Sequence, residues 1–263
     1  MCRLLGYLGA SVQLDALLVK PKHSLMVQSY QPREMTSGVL NADGFGVGWY
    51  HSQRDTEPFI YKNTLPIWSD INLPHLSRYV ESSCVLANVR SATAGQAVQL
   101  SNCQPFRYGR ILGIHNGYIE NFRQTLYRPI RDRLNDACYQ LIEGTTDSEH
   151  VFALICHALQ TTSNITLEKA VYQTLLTLVE WAQAQSIILS LNLLVSDGHC
   201  LVATRFAYPA EPPSLYWLRD DPAFASAALI ASEPLFASDR WTRCPANSIV
   251  VVGEDLDIQT YPL

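Results

Sequence analysis

Cys2-Arg3-Leu4-Leu5-Gly6-Tyr7-Leu8-Gly9 follows directly behind Met1. The apolar run predicts a buried strand at the start of the chain. The same stretch carries chemistry: if Met1 is removed, Cys2 presents a thiol and a free α-amino group on one residue. A free thiol titrates near ~8.5 and an α-amino group near ~7.7–8.0, so the two form a nucleophile and base matched around neutrality. The plainer reading is a small, soft residue at the head of a buried strand. What favours the chemical reading lies downstream, around Arg90.

Working outward, residues 14–19 predict a short helix ended by Pro21, and residues 27–41 read as a polar, turn-rich loop. In Asn41-Ala42-Asp43-Gly44-Phe45-Gly46-Val47-Gly48-Trp49-Tyr50, glycines alternate with large apolar residues. That pattern predicts a strand with one bare face, which another backbone, a helix or a ligand must approach closely. It is not a nucleotide loop, because the period of two continues where a phosphate-binding turn would pass into a helix. Further strands are expected at 84–90 and 110–115, the second stopped by Asn116-Gly117 as a turn. Helices are expected at 74–80, 121–134, 147–159 and 166–185. A hairpin at 188–206 turns on Asp197-Gly198, and strands at 215–218, 227–231, 248–252 and 256–260 follow. Strands, then helices, then strands predict an α+β fold with helices covering two stacked sheets, in one domain spanning 1–263.

The 263 residues carry a net charge of −5 and 48% hydrophobic content, the profile of a globular chain. Seven cysteines without CxxC spacing, and no secretory segment, fit reduced thiols in a cytoplasm. Gln13 and Asp15 interrupt the apolar start, so no membrane association is expected. Without a Lys/Arg block there is no footprint for nucleic acid. Arg123, Arg128, Arg131 and Arg133 read as a solvated helix face beside Asp132 and Asp136.

Four stretches can serve one reaction. Arg90 ends a buried strand, where its guanidinium could fork onto a carboxylate. Asn116-Gly117 offers a side-chain amide and an unhindered backbone N–H, the parts of an oxyanion hole. Asp147 at a helix start could receive an ammonium group. Taken singly, Asn-Gly is a turn and Asp147 a cap. With Cys2 they supply nucleophile, base, oxyanion site and clamps for both charges of an α-amino acid.

In order, Cys2, Arg90-x-x-Thr93-x-Gly95, Pro105-Phe106, His115-Asn116-Gly117, Glu120-Asn121 and Thr146-Asp147-Ser148-Glu149 resemble the class II glutamine amidotransferase domain. The resemblance implies an N-terminal-nucleophile hydrolase with a four-layer αββα sandwich and no cofactor or metal. It further implies Cys2 as nucleophile, Asn116 and the Gly117 N–H as oxyanion hole, Arg90 and Thr93 at the glutamyl α-carboxylate, and Asp147 at the α-ammonium. A narrower similarity, to the ergothioneine-pathway γ-glutamyl hydrolase branch, covers nearly the whole chain. It rests on 1–9, Val27-Gln28-Ser29-Tyr30, Asn41-Ala42-Asp43-Gly44, Val89-Arg90-Ser91-Ala92-Thr93, Leu191-Asn192-Leu193-Leu194 and Ala231-Ser232-Glu233-Pro234. Ser91 and Ala94 stand where the sugar-phosphate branch has Trp and His, and Asn102-Cys103-Gln104 stands where many relatives carry a histidine. These departures point away from free glutamine as the substrate.

The expected partners are a small γ-glutamyl molecule and, at most, a second copy in a homodimer. The hercynine portion implied by the narrower resemblance carries a trimethylammonium, which favours an aromatic or acidic wall. Tyr30, Asp43, Trp49, Tyr50 and Trp68 are the sequence candidates for it. Three rival readings remain: a glutaminase supplying ammonia to a partner synthase, a Cys–His protease using His115, and an inactive scaffold.

Overall fold

β1, Arg3–Gln13, is covered on both faces through Leu8 and opens to solvent beyond Gly9. The computed structural model describes residues 1–51, 57–93 and 95–263; Ala94, one of the departures noted above, lies outside them. After β1 come α1 (Leu14–Leu18), α2 (Leu25–Tyr30), β2 (Phe45–Trp49), β3 (Phe59–Asn63), α3 (Leu73–Tyr79), β4 (Glu81–Val89), β5 (Phe106–Tyr108) and β6 (Ile111–Ile119). The helical middle is α4 (Tyr127–Arg133), α5 (Asp136–Gln140), α6 (Asp147–Thr161) and α7 (Leu167–Gln185). The chain ends with β7 (Leu189–Ser196), β8 (Leu201–Arg205), β9 (Ala207–Tyr208), β10 (Tyr216–Asp221), β11 (Phe224–Ala231), β12 (Thr242–Arg243), β13 (Ser248–Val252) and β14 (Ile258–Pro262).

One sheet runs β12-β10-β11-β1-β4-β2-β3 and the other β14-β13-β8-β7-β6-β5, with β9 paired to β7. Side-chain parity then builds four layers. Leu5 and Tyr7 of β1 pack with Leu14, Leu17, Leu25 and Leu73 from α1, α2 and α3. Leu4 and Leu8 point the other way, onto Leu86, Leu112, Ile114 and Leu194 between the sheets. On the far side Leu189, Leu191 and Leu193 meet Val151 and Ile155 of α6 and Leu175 and Leu178 of α7. Each fully buried leucine contributes roughly 1.5–3 kcal/mol, so a strand buried on two faces is worth twice a surface strand of the same length. The α+β, four-layer αββα arrangement expected from the sequence is the one observed.

The bare face of β2 is filled by protein. A Cβ on Gly46 would lie 2.0 Å from the Gln104 carbonyl oxygen, and one on Gly48 2.7 Å from Leu112 Cδ1. The segment leading into β5 and the second sheet take up this space, so no ligand is needed to explain the glycines.

Three local expectations are corrected. Asn116-Gly117 is no turn: β6 runs through it to Ile119, with Asn116 opposite Asn192 and Gly117 opposite Leu191. Partners on β7 override the local turn preference. Within 27–41, residues 27–30 belong to α2, which Ser24 caps by accepting from the Val27 amide at 3.4 Å. The helix expected from 121 starts at Tyr127, because Pro129 lacks an N–H and fits only a first turn.

Candidate active site

Between the sheets the middle of the packing is apolar, and at the Cys2 end Asn88, Asn116, Ser190 and Asn192 take over. All four share the parity of the inter-sheet leucines on their strands and are buried. Among the described residues Asn116 has no hydrogen-bond partner on either Oδ1 or Nδ2, and Asn88 Oδ1 and Ser190 Oγ are also unpartnered. A buried polar atom left unpaired costs roughly 1–3 kcal/mol, so such a cluster at one end of a core marks a place for a polar ligand.

Beside it opens a cleft of about 530 Å³ lined by Met1 and Cys2, by three loops (36–38, 91–93 and 210–213) and by Gly117, Tyr118 and Ser190. Cys2 Sγ lies 3.8 Å from the Ser91 carbonyl oxygen. The Met1 amine donates to the Ser37 carbonyl at 2.8 Å, and burial pushes its pKa below the ordinary value. Thr36 Oγ1 reaches the Met1 sulfur, so Met1 fills part of the cleft in front of Cys2.

The odd residues of β7 turn their amides away from β6: Leu191 N donates to the Phe206 carbonyl and Leu193 N to Thr204 Oγ1. The odd amides of β6 therefore point toward β5. Of these, His115 N donates to Gln104 Oε1 and Ile119 N to Asp147 Oδ2. Gly117 N sits between them, where β5 has already ended. A Cβ at Gly117 would lie 1.7 Å from the Ser190 carbonyl oxygen, so only glycine fits.

His115 faces the helical layer, opposite to Asn116. Its Nε2 donates to the Ser190 carbonyl at 3.0 Å and its Nδ1 accepts from Ser148 Oγ at 2.9 Å. Burial lowers its pKa, so the ring is neutral, fully engaged and turned away from the layer that holds Cys2. That geometry removes the ground for a Cys–His pair.

A second hollow of about 350 Å³ shares Thr93 and Tyr118 with the cleft and reaches Gln96 and Asp147. Thr146 Oγ1, accepting from Glu149 N, is the cap of α6, so Asp147 is free of that duty. Asp147 is instead held against β6 by the Ile119 amide and by its neighbour Ser148 N, both at 2.8 Å. Arg90 is buried among neutral acceptors only: the carbonyls of Asp43 and Ala97 and Gln96 Oε1, at 3.2–3.4 Å. Among the described residues this guanidinium has no carboxylate partner, and Gln96 carries its reach to the hollow.

The expected aromatic wall is not assembled. Tyr50 is buried with its hydroxyl between the carbonyls of Arg110 and Ser196, and Trp49 packs tilted against Phe59, centroids 4.8 Å apart. The register puts both toward the far end of β2, since Phe45 pairs with Val89 next to Cys2 and Trp49 pairs with Val85. Tyr30 and Trp68 form an exposed edge-to-face pair, centroids 5.7 Å apart, that does not line the cleft. Asp43 Oδ2 accepts from the Ala92 amide at 2.8 Å, so it braces the 91–93 loop. A larger hollow, about 930 Å³ beside β3 and β5, is lined by Lys62, Arg107 and Glu149 and does not include Cys2.

A model of the family described as class-II glutamine amidotransferases matches residues 1–225. The chain belongs to that family. As a class II amidotransferase it is an amidohydrolase, and its relatives extend along the whole chain. The probable glutamine amidotransferase DUG3 of Saccharomyces cerevisiae is 30% identical over 96% of this chain and 82% of its own length. A γ-glutamyl-hercynylcysteine sulfoxide hydrolase of Mycobacterium tuberculosis is 32% identical over 97% of the chain and 94% of its own. The Mycolicibacterium smegmatis protein of the same name is 29% identical over the full length of both. Among solved structures, a class-II glutamine aminotransferase domain protein from Silicibacter pomeroyi superposes with a TM-score of 0.71 at 23% identity, covering 100% of this chain and 99% of that one. The amidotransferase for phosphoribosylpyrophosphate from B. subtilis does so at 0.65 and 16%, covering 99% of this chain and 49% of its own.

The cleft beside Cys2 also draws on residues that sequence reading did not nominate. Tyr118 and Ser190 line the cleft, as do the 36–38 and 210–213 loops. Tyr118 had a sequence signal, as the residue directly behind His115-Asn116-Gly117, and 36–38 lies within the long polar loop expected at 27–41. The others depend on which distant segments the sheets bring alongside Cys2.

Proposed function

We propose that this amidotransferase is a γ-glutamyl hydrolase that works through the N-terminal Cys2 and leaves its glutamyl group as a thioester. The observation that carries the reading is the meeting of Cys2 with Gly117 and the unpartnered Asn116 at the polar end of the core. With Met1 removed, the Cys2 amine takes the thiol proton and the thiolate attacks the γ-carbonyl. Asn116 Nδ2 and the Gly117 N–H bond the tetrahedral oxyanion, which a low-dielectric setting strengthens. The ammonium returns its proton to the departing nitrogen, the C–N bond breaks, and a γ-glutamyl thioester remains. Water, deprotonated by the same amine, attacks the thioester and releases glutamate and the thiol.

Arg90 with Thr93 would hold the α-carboxylate and Asp147 the α-ammonium, placing the glutamyl portion in the smaller hollow. The leaving group then lies in the Cys2 cleft, between the 36–38 and 210–213 walls. Relatives named γ-glutamyl-hercynylcysteine sulfoxide hydrolase, 29–32% identical over nearly the whole chain, support γ-glutamyl-cysteinyl-hercynine sulfoxide as the substrate.

The test is hydrolysis by purified protein of that sulfoxide, of simpler γ-glutamyl amides and of glutamine, with intact mass measured on the same sample. Glutamate release that is fastest from the sulfoxide, by a chain beginning at Cys2, is the expected result. Glutamine turnover that dominates and rises sharply with a partner protein would favour an ammonia-supplying glutaminase. Full activity in a chain that retains Met1 would overturn the N-terminal mechanism.

A further inference from the structure

Ala231-Ser232-Glu233-Pro234 has no part in the chemistry above, yet it ties the nucleophile strand to the cleft wall. Ser232 Oγ accepts from the Leu4 amide at 2.9 Å, and the Ser232 amide donates to the Leu4 carbonyl at 3.0 Å. One residue on, the buried Glu233 carboxylate gathers three donors from distant segments. Oε2 accepts from His23 Nε2 at 2.7 Å and from the Arg33 amide at 2.9 Å, and Oε1 accepts from the Glu34 amide at 3.0 Å. The fully buried Arg3 guanidinium, on the residue next to Cys2, approaches Oε1 at 3.4 Å.

From Glu34 the chain runs directly into the 36–38 wall of the cleft. Glu34 is also held from outside, where the Tyr216 hydroxyl donates to its carboxylate at 2.9 Å. The wall's Ser37 carbonyl accepts from the N-terminal amine.

We propose that Glu233 is a positioning residue that fastens the 33–38 wall over the Cys2 cleft and thereby sets how well the enzyme handles a large leaving group. The proposal rests on the γ-glutamyl hydrolase reading, which puts the leaving group against that wall. The carboxylate suits the task because its acceptors meet only donors; an amide there would turn an N–H toward them. Burial raises the Glu233 pKa, but the bonds from His23 and the Arg33 and Glu34 amides, with the Arg3 charge, outweigh it and hold the group below the usual glutamate range.

The test uses the full mature chain with Glu233→Gln and Tyr216→Phe. It reads hydrogen exchange over residues 31–40, together with kcat and KM for glutamine and for a γ-glutamyl amide with a bulky amine. Both variants should speed exchange in that segment, by about tenfold or more for Glu233→Gln. Glu233→Gln should also lower kcat/KM for the bulky amide about tenfold more than for glutamine, chiefly through KM. Equal losses on both substrates, or unchanged exchange, would overturn the proposal. Tyr216→Phe orphans no buried charge, so if Glu233→Gln fails to fold, Tyr216→Phe must show the same substrate-dependent loss in smaller measure, and equal losses there overturn it. A wild type inert on every γ-glutamyl compound strikes at the hydrolase reading instead, while exchange still decides whether Glu233 fastens the wall.

Discussion

Asn116→Ala should separate stability from catalysis, because in the free protein the side chain spends its polarity on nothing. It is fully buried, and both amide atoms lack partners among the described residues. Truncation removes two unpaired groups, whose burial costs roughly 1–3 kcal/mol each, and leaves a void of the kind that costs about 2–5 kcal/mol when a buried Leu-sized side chain is cut to Ala. The two offset one another, so Tm should stay within about 4 °C of wild type, at the few degrees per kcal/mol expected for a chain of this length. Loss of an oxyanion donor works on the transition state alone and should lower kcat by ~10²–10³, about 2.7–4 kcal/mol, with KM little changed. Thermal melts and steady-state kinetics on one γ-glutamyl substrate suffice. A Tm lowered by about 8 °C or more with kcat retained would show that Asn116 is a structural hydrogen-bonder, and the oxyanion assignment would fall.

Asp147→Asn should leave α6 capped, since Thr146 does that, yet lower kcat/KM for γ-glutamyl substrates; an analogue lacking the α-amine should fail with wild type and lose little more with the variant. Equal discrimination by both proteins would return Asp147 to a structural role. Arg90→Gln should weaken binding by about 2–5 kcal/mol, read in KM, because the substrate carboxylate would lose the charge it meets; an unchanged KM would refute the clamp. Burial, reinforced by Arg131, lowers the His150 pKa to about 4, so the folded ring stays neutral where the unfolded one, near ~6.5, takes up a proton. The stability this ring contributes is full above about pH 6.5 and falls progressively as pH drops toward about 4. Tm measured from pH 7 to 5 should therefore fall less in His150→Phe than in wild type, and parallel slopes would contradict the account.

The sequence alone determined the layering and nominated the candidate reactive residues. Cys2, Arg90, Thr93, Asn116-Gly117 and Asp147 are legible as candidates because their chemistry resides in short contiguous stretches, and the doubly buried first half of β1 is legible because its apolar run leaves no wet face. Tertiary structure decided what depends on a partner far along the chain. Asn116-Gly117 is strand and not turn because β7 supplies Asn192 and Leu191 opposite it. Trp49 and Tyr50, placed by sequence near the nucleophile, are carried away from it by the β2–β4 register. The cleft walls around 37 and 211 have no local pattern in common; Glu233 accepts from the Arg33 and Glu34 amides that lead into the first, and Asn192 donates to the Pro213 carbonyl beside the second. A hydrogen bond between distant segments leaves no period in either one, which is why those walls could be read only from the fold.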